Sequence, residues 1–175
     1  MSTQSKFYVT TPIYYATAVP HLGTLYSTIL ADVAARWAAL RGKQVFFLTG
    51  TDEFGQKIAQ AAQAAGKQPK EFVDAFIPAY KNLWEKYHIE YSKFIRTTDS
   101  YHVAGVTQWI KNLQEQGDIY KGAYEGWYCV PCETYLTDKD FEAGTTTPPC
   151  LSCQRVTQWV SEHCYFFRLS KYQDQ

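Results

Sequence analysis

Cys129, Cys132, Cys150 and Cys153 form two Cys-x-x-Cys pairs separated by seventeen residues, and no other feature narrows the fold of this chain as much. Each pair can set two thiolates on one tight turn. Two such turns facing one another close a tetrahedral four-sulfur site suited to Zn2+. The alternatives are four unliganded core cysteines or two disulfides. The N-terminus, Met1-Ser2-Thr3-Gln4-Ser5-Lys6, lacks the apolar core of a secretory signal. A reducing cytoplasm is therefore expected, where paired cysteines are metal ligands before they are disulfides. Cys164, within Glu162-His163-Cys164-Tyr165-Phe166-Phe167, stands outside the pattern and reads as a small buried hydrophobe.

A metal module this small needs a host. The 175 residues allow one ordinary core and one small appended module. Apolar residues at 46% and aromatics at 17% indicate a folded, aromatic-rich chain. The formal net charge is zero, so a dominant electrostatic footprint for nucleic acid is absent, which leaves room only for a local basic patch. No run of about 18 apolar residues exists to span a bilayer, and no membrane association is expected.

Periodicity supplies the host. Lys6 to Thr11 is rich in aromatic and β-branched residues and ends at Pro12, as a short buried strand does. Tyr26, Leu30, Val33, Trp37 and Leu40 follow at spacings of four, three, four and three, which is one face of a helix. Asp32 and Arg36 lie one turn apart on a more polar face, and Gly42 supplies the stop. Val45-Phe46-Phe47-Leu48 predicts a second strand, and Asp52 is placed to cap a helix running to Gly66. Strand, helix, strand, helix at these lengths is a βαβα unit with a parallel sheet. Pro69 to Tyr87 has helical spacing that Pro78 must kink or interrupt. Trp37, Trp84 and Tyr87 lie on helical stripes and are expected in the core. Lys93 to Arg96 predicts a third strand and Asp99 to Gln116 another helix. From Gly117 to Tyr128 short β-prone segments alternate with turn residues, and Gly144-Thr145-Thr146-Thr147-Pro148-Pro149 has loop composition.

Phe7 to Ile58 resembles the start of the methionyl-tRNA synthetases, a class I aminoacyl-tRNA synthetase family. The matching stretches are Val9-Thr10-Thr11-Pro12-Ile13-Tyr14-Tyr15, Pro20-His21-Leu22-Gly23, Ala31 to Arg36, and Phe47 to Lys57. Further matches follow in order at Phe94 to Thr98, Gly117 to Tyr120, Tyr124 to Cys129 and Tyr165 to Leu169. The resemblance implies an α/β fold: the first half of a class I Rossmann-like nucleotide-binding domain, with a small zinc-knuckle insertion. The expected organisation is 1–116 for that half, 117–161 for the connective insertion, and 162–175 for the start of the following segment.

The same resemblance implies ATP-dependent activation of methionine to methionyl-adenylate and transfer to tRNA(Met), with ATP bound together with Mg2+. It places His21, Gly23 and Thr24 in the HIGH motif. There a histidine donates to phosphate oxygens, and glycine lets the nucleotide approach the backbone at a helix N-terminus. It implies that Pro12, Ile13 and Tyr15 wall the methionine pocket and that Asp52 holds the α-ammonium. The residue chemistry agrees. A thioether packs well against aromatic edges, and an ammonium entering a cleft needs a carboxylate. Bland roles compete, namely helix caps for His21 and Asp52 and core packing for the aromatics. The zinc of Cys129, Cys132, Cys150 and Cys153 is implied to be structural, since four thiolates leave no open coordination position.

Two positions depart from the family pattern. Thr24 stands where the HIGH motif has its second histidine, and Phe54 stands where the Asp-Glu-His-Gly form has histidine. A threonine hydroxyl can bond one phosphate oxygen but carries no charge. Nothing resembles the lysine-rich KMSKS loop of the family's second half. The chain is therefore expected to be an N-terminal part, incomplete as a catalyst. The competing readings are a small nucleotidylyltransferase of the same superfold and a non-catalytic zinc-stabilised binding module. Methionine-dependent ATP–pyrophosphate exchange separates them.

Overall fold

In a computed structural model, residues 5–142 and 144–173 are described. Met1–Gln4, including most of the segment read as lacking a signal, and Asp174–Gln175 lie outside the described residues. The chain divides into two compact units, 1–106 and 107–175.

The first unit is built on one central strand. β3 (Gln44–Asp52) pairs in parallel with β1 (Lys6–Thr10) and then β2 (Tyr14–Tyr15) along one side, and with β4 (Lys93–Arg96) along the other. Leu48 faces both Thr10 and Lys93, and Thr51 faces both Tyr14 and Arg96. β2 thus continues β1 after the interruption at Thr11-Pro12-Ile13. That interruption follows from Pro12, which has no N–H to give the ladder. At Gly50 the neighbouring backbone comes so close that a Cβ would lie 2.0 Å from the Ile95 carbonyl oxygen. Only glycine fits there.

α1 (Leu22–Leu40) crosses from β2 to β3 and packs on the sheet. Its expected period is present, but on the opposite face. Thr24, Leu25, Thr28, Ala31, Asp32, Ala35 and Ala38 are buried, whereas Tyr26, Leu30, Val33, Trp37 and Leu40 are all more than half exposed. Small residues at four- and three-residue spacing let the helix axis lie close to β1 and β3. Asp32 is tolerated there because its carboxylate accepts from Arg36 Nε at 2.6 Å and from the Glu90 amide at 2.9 Å. Trp37 is 62% exposed and Tyr87 48%, so neither is core. Trp84 is fully buried, with Leu25, Ala31, Ala35, Phe47, Tyr80 and Ile89.

After β3 come α2 (Gln56–Ala64), α3 (Pro69–Asp74) and α4 (Ile77–Lys86). Asp52 does not cap α2. It remains in β3, and the residue before α2 is Gly55 at φ 106°. Pairing to Tyr15 carries the strand through residue 52 and leaves the turn to Glu53-Phe54-Gly55. The break in the Pro69–Tyr87 stretch falls just before Pro78, which occupies the first turn of α4, where no N–H is required. α5 (Ser100–Glu115) spans the boundary between the units and buries no residue.

The second unit is an antiparallel ribbon. β5 (Ile119–Cys129) pairs with β7 (Gln158–Phe167) from Ile119↔Phe167 to Tyr128↔Gln158, and β6 (Thr134–Tyr135) adds to the knuckle end of β5. One long strand thus replaces the expected short segments. Gly122 and Gly126, which suggested turns, are covered by the rings of Phe166 and Tyr135, which lie 2.7 and 3.3 Å from where their Cβ atoms would be. The expected division after residue 161 falls inside β7. Beyond it, Leu169–Tyr172 is a single 3-10 turn. Lys171 Nζ and the Tyr172 hydroxyl both donate to the buried Asp118 carboxylate, the former at 2.7 Å. Among the described residues no helix is long and apolar enough to cross a membrane.

Candidate active site and metal centre

The carboxyl ends of β1, β2, β3 and β4 point to one edge of the parallel sheet, where open α/β sheets bind ligands. α1 starts at that edge. Its N-cap is His21, whose Nδ1 accepts from the Gly23 amide at 3.0 Å and the Thr24 amide at 3.3 Å. With Nδ1 used as acceptor, the neutral ring carries its proton on Nε2, a donor turned away from the cap. Capping and donation to a ligand are therefore compatible in one side chain. A Cβ on Gly23 would lie 2.9 Å from His21 Cε1, so the glycine also makes room for the ring to fold back.

A cavity of about 330 Å³ opens beside this helix start. It is lined from the β2 region by Ile13, Tyr14, Tyr15, Thr17, Ala18 and Val19, from α1 by His21 and Thr24, and from α4 by Tyr80. Of the residues expected from the sequence, Ile13, Tyr15, His21 and Thr24 share the cavity, and Pro12, Gly23 and Asp52 are not among its lining. Thr24 is buried at 3% exposure. Tyr14 and Tyr80 were not singled out as pocket residues. Tyr14 Oη is bonded to Ser27 Oγ at 2.8 Å and Thr28 Oγ1 at 2.9 Å, and Tyr80 Oη donates to the Tyr15 carbonyl at 3.2 Å. Burial raises the Tyr80 phenol above its ordinary range, with the neighbouring Tyr14 adding to the effect. Helical spacing placed Tyr80 on a buried stripe but could not show that the stripe ends at a cavity.

Asp52 lies at the last position of β3, in register with Tyr15, and its carbonyl accepts from the Ala16 amide at 3.2 Å. Registered residues of parallel strands project to the same side of the sheet, so Asp52 and Tyr15 share a side. Phe54 is more than half exposed on the loop that follows.

In the second unit the four cysteine sulfurs lie within 4.8 Å of one another, with Cys129 and Cys153 at 3.6 Å. Tetrahedral coordination at Zn–S distances of about 2.3 Å sets sulfurs about 3.8 Å apart, whereas a disulfide needs about 2.05 Å. The donor set and spacing fit zinc. Both Cys-x-x-Cys turns end alike, with the next residue left-handed, Glu133 at φ 51° and Gln154 at φ 59°. Each turn is closed by a backbone bond, Glu133 to Val130 at 3.3 Å and Gln154 to Cys150 at 2.8 Å. The Cys150 thiol is pulled down to about 6, chiefly by the Cys153 amide, and the Cys132 thiol is pushed up to about 12, chiefly by its hydrogen bond to Cys153. A divalent cation at the centre of the cluster would stabilise the thiolate form of its ligands. Cys164 lies outside this cluster and is half-buried.

A histidine-capped helix start beside a parallel sheet, in a chain that also carries a four-cysteine knuckle, is the arrangement that the resemblance to class I aminoacyl-tRNA synthetases implies. Residues 7–175 match the family model described as tRNA synthetases class I (M). The methionine–tRNA ligase of Thermotoga maritima is 51% identical over 97% of this chain, and that of Clostridium tetani 49% over 98%. The Mycobacterium tuberculosis methionyl-tRNA synthetase in complex with methionyl-adenylate superposes with a TM-score of 0.86 at 37% identity, covering 98% of this chain and 34% of that one. The chain belongs to the methionyl-tRNA synthetase family of class I tRNA synthetases. It spans about a quarter of the length of the curated relatives, 27% of the Thermotoga protein and 26% of the Clostridium protein.

Proposed function

We propose that this chain supplies the HIGH-motif side of the ATP site and one wall of the amino-acid pocket of a methionine–tRNA ligase acting in the cytoplasm. The observation that carries this reading is the cavity at the start of α1, which brings Ile13, Tyr15, His21 and Thr24 together at the carboxyl ends of parallel strands. The chemistry is attack of the methionine carboxylate oxygen on the α-phosphorus of ATP. A bond forms between that oxygen and phosphorus, the bond to the bridging oxygen breaks, and pyrophosphate leaves. Transfer of the methionyl group to tRNA(Met) follows.

Each residue then has a physical task. The positive end of the α1 dipole and the Nε2 proton of His21 stabilise negative charge on the phosphates, which accompany Mg2+. Thr24 offers a hydroxyl in place of the family's second histidine. Pro12, Ile13 and Tyr15 pack the thioether, and Asp52 pairs with the α-ammonium. Residues 1–116 are the catalytic half in this reading. The connective insertion starts at 117 and, because β7 is one strand, runs past the expected limit of 161 to Phe167, with the rest of the chain leading out of it. Cys129, Cys132, Cys150 and Cys153 hold a structural Zn2+ that orders the knuckle and takes no part in adenylation.

Methionine-dependent ATP–pyrophosphate exchange tests the proposal, run on the chain alone and on the chain joined to the remaining part of the Thermotoga relative. The joined protein is expected to exchange. The chain alone is expected to be slower by about 10²–10³-fold or more, because the lysine loop comes only with the joined part, whereas Thr24 is common to both. Exchange without methionine dependence in the joined protein, or none at all, would overturn the reading.

A further inference from the structure

The carboxylate next in sequence to Asp52 is held more firmly than any function discussed so far requires. The Glu53 side chain is completely buried. It accepts from Thr51 Oγ1 at 2.6 Å, from Arg96 Nε at 2.7 Å, from Arg96 Nη2 at 2.9 Å and from the Thr98 hydroxyl. Arg96 in turn reaches Asp74 at the end of α3. Burying an ion pair of this kind seldom stabilises a fold more than an apolar pair of the same size would. Stability alone is therefore a poor reason for it.

Its geometry bears directly on Asp52. The peptide unit joining Asp52 to Glu53 is rigid and planar, and both of its polar ends are fastened. The Asp52 carbonyl accepts from the Ala16 amide at 3.2 Å, and the Glu53 amide donates to Thr97 Oγ1 at 2.9 Å. Thr51 and Glu53 are bonded to each other through their side chains. Alternation along an extended chain then sends the residue between them to the opposite side, which is the side of Tyr15. The bidentate Arg96 contact fixes the plane of the Glu53 carboxylate and leaves it little rotational freedom. Three of the partners are consecutive: Arg96 ends β4, and Thr97 and Thr98 follow it directly.

We propose that Glu53, clamped by Arg96 and Thr97, is a positioning residue that aims the Asp52 carboxylate at the ammonium group of the amino-acid substrate. This rests on the methionine reading above and adds to it. The buried carboxylate touches no substrate; it sets where the half-buried one points. Selectivity for a free α-amino group then depends on a contact between β3 and β4, behind the pocket.

Calorimetry with two probes tests this, methionine and its des-amino analogue 4-(methylthio)butanoate, on both the 175-residue chain and the joined protein. Glu53→Gln is expected to weaken methionine at least tenfold and the analogue less than twofold. Combined with Asp52→Asn it should add nothing to the loss from Asp52→Asn alone. Thr97→Val, which leaves the buried ion pair intact, should give a smaller loss of the same ammonium-selective kind and serves if Glu53→Gln fails to fold. Equal weakening of both probes, additive losses in the double variant, or methionine affinity unchanged in Thr97→Val would each overturn the positioning role. Methionine binding by neither parent protein would sink the methionine reading itself, and this one with it.

Discussion

At the scale of single residues, the site depends on side chains that do two things at once. His21 spends Nδ1 on the helix cap and keeps Nε2 for a ligand, and Gly23 makes that fold-back possible. Gly23→Ala should push the ring off the cap. The expected cost is about 1 kcal/mol of stability, from the lost cap. Phosphate contact should be lost as well, read as a raised KM for ATP in the joined protein. An alanine variant with unchanged thermal midpoint and KM would show that the cap does not matter. Under the proposed function, Asp52→Asn removes the charge partner of the methionine ammonium, at about 1–3 kcal/mol. Ile13→Val removes one methylene, at the low end of about 0.5–1.5 kcal/mol because Ile13 is 43% exposed. Methionine titrations of the two variants should therefore differ severalfold, with Asp52→Asn the weaker. His21, Ile13, Tyr15 and Asp52 were legible as motif residues; Tyr80 and the Glu53–Arg96 clamp were not. Tyr80 comes from a helix distant in sequence, and Arg96 meets Glu53 only because β4 pairs with β3.

At the scale of elements, α1 shows how a correct period can point the wrong way. Large apolar residues at helical spacing ordinarily mark the buried face, but here alanine and threonine face the sheet and the large residues face outward. Trp37 and Trp84 make the difference measurable. Trp84→Ala should cost about 3–5 kcal/mol by opening the first unit's core, whereas Trp37→Ala should cost less than about 0.5 kcal/mol. Denaturant titrations check both values. Acrylamide should also quench the emission lost in Trp37→Phe far more readily than that lost in Trp84→Phe. The other elements were legible for simple reasons: Pro12, Gly42 and Pro78 are punctuation that tertiary contacts rarely override. The long β5 strand was not legible. Its glycines look like turns until Phe166 and Tyr135 are seen lying over them.

At the scale of the whole molecule, two clasps order the second unit. The first is the cysteine cluster. One Zn2+ per chain is expected, contributing on the order of 10 kcal/mol to folding of the knuckle. Replacing any one of Cys129, Cys132, Cys150 or Cys153 by serine should lower metal content below stoichiometry, and Cys164→Ser should leave it unchanged; metal analysis of reduced protein decides. The second is Asp118, whose carboxyl is held below its ordinary value by the Lys171 ammonium and, next, by the Tyr172 hydroxyl. A carboxyl depressed in the folded state stabilises it at pH above the unfolded value of about 3.9, and that contribution disappears as pH falls through the lower folded value. Lys171 is raised by the same contact, so its share is present below about 10.4 and fades as pH rises beyond. Thermal midpoints of the second unit should therefore drop on acidification below about pH 4. Asp118→Asn should show a shallower drop over that range, and an identical acid profile would mean that the clasp contributes nothing.

The sequence by itself determined what local rules govern. Chelate spacing marked the four-cysteine cluster, proline and glycine marked the breaks, and an ordered set of motifs marked the family. The tertiary structure decided which face of α1 is buried and that Asp52 ends a strand rather than capping a helix. It also decided that a buried Glu53 stands behind Asp52, bound by β4. These outcomes depend on strand register and on how closely a helix can approach a sheet. Both are fixed by partners far away in the chain, and neither leaves a periodic trace in the sequence.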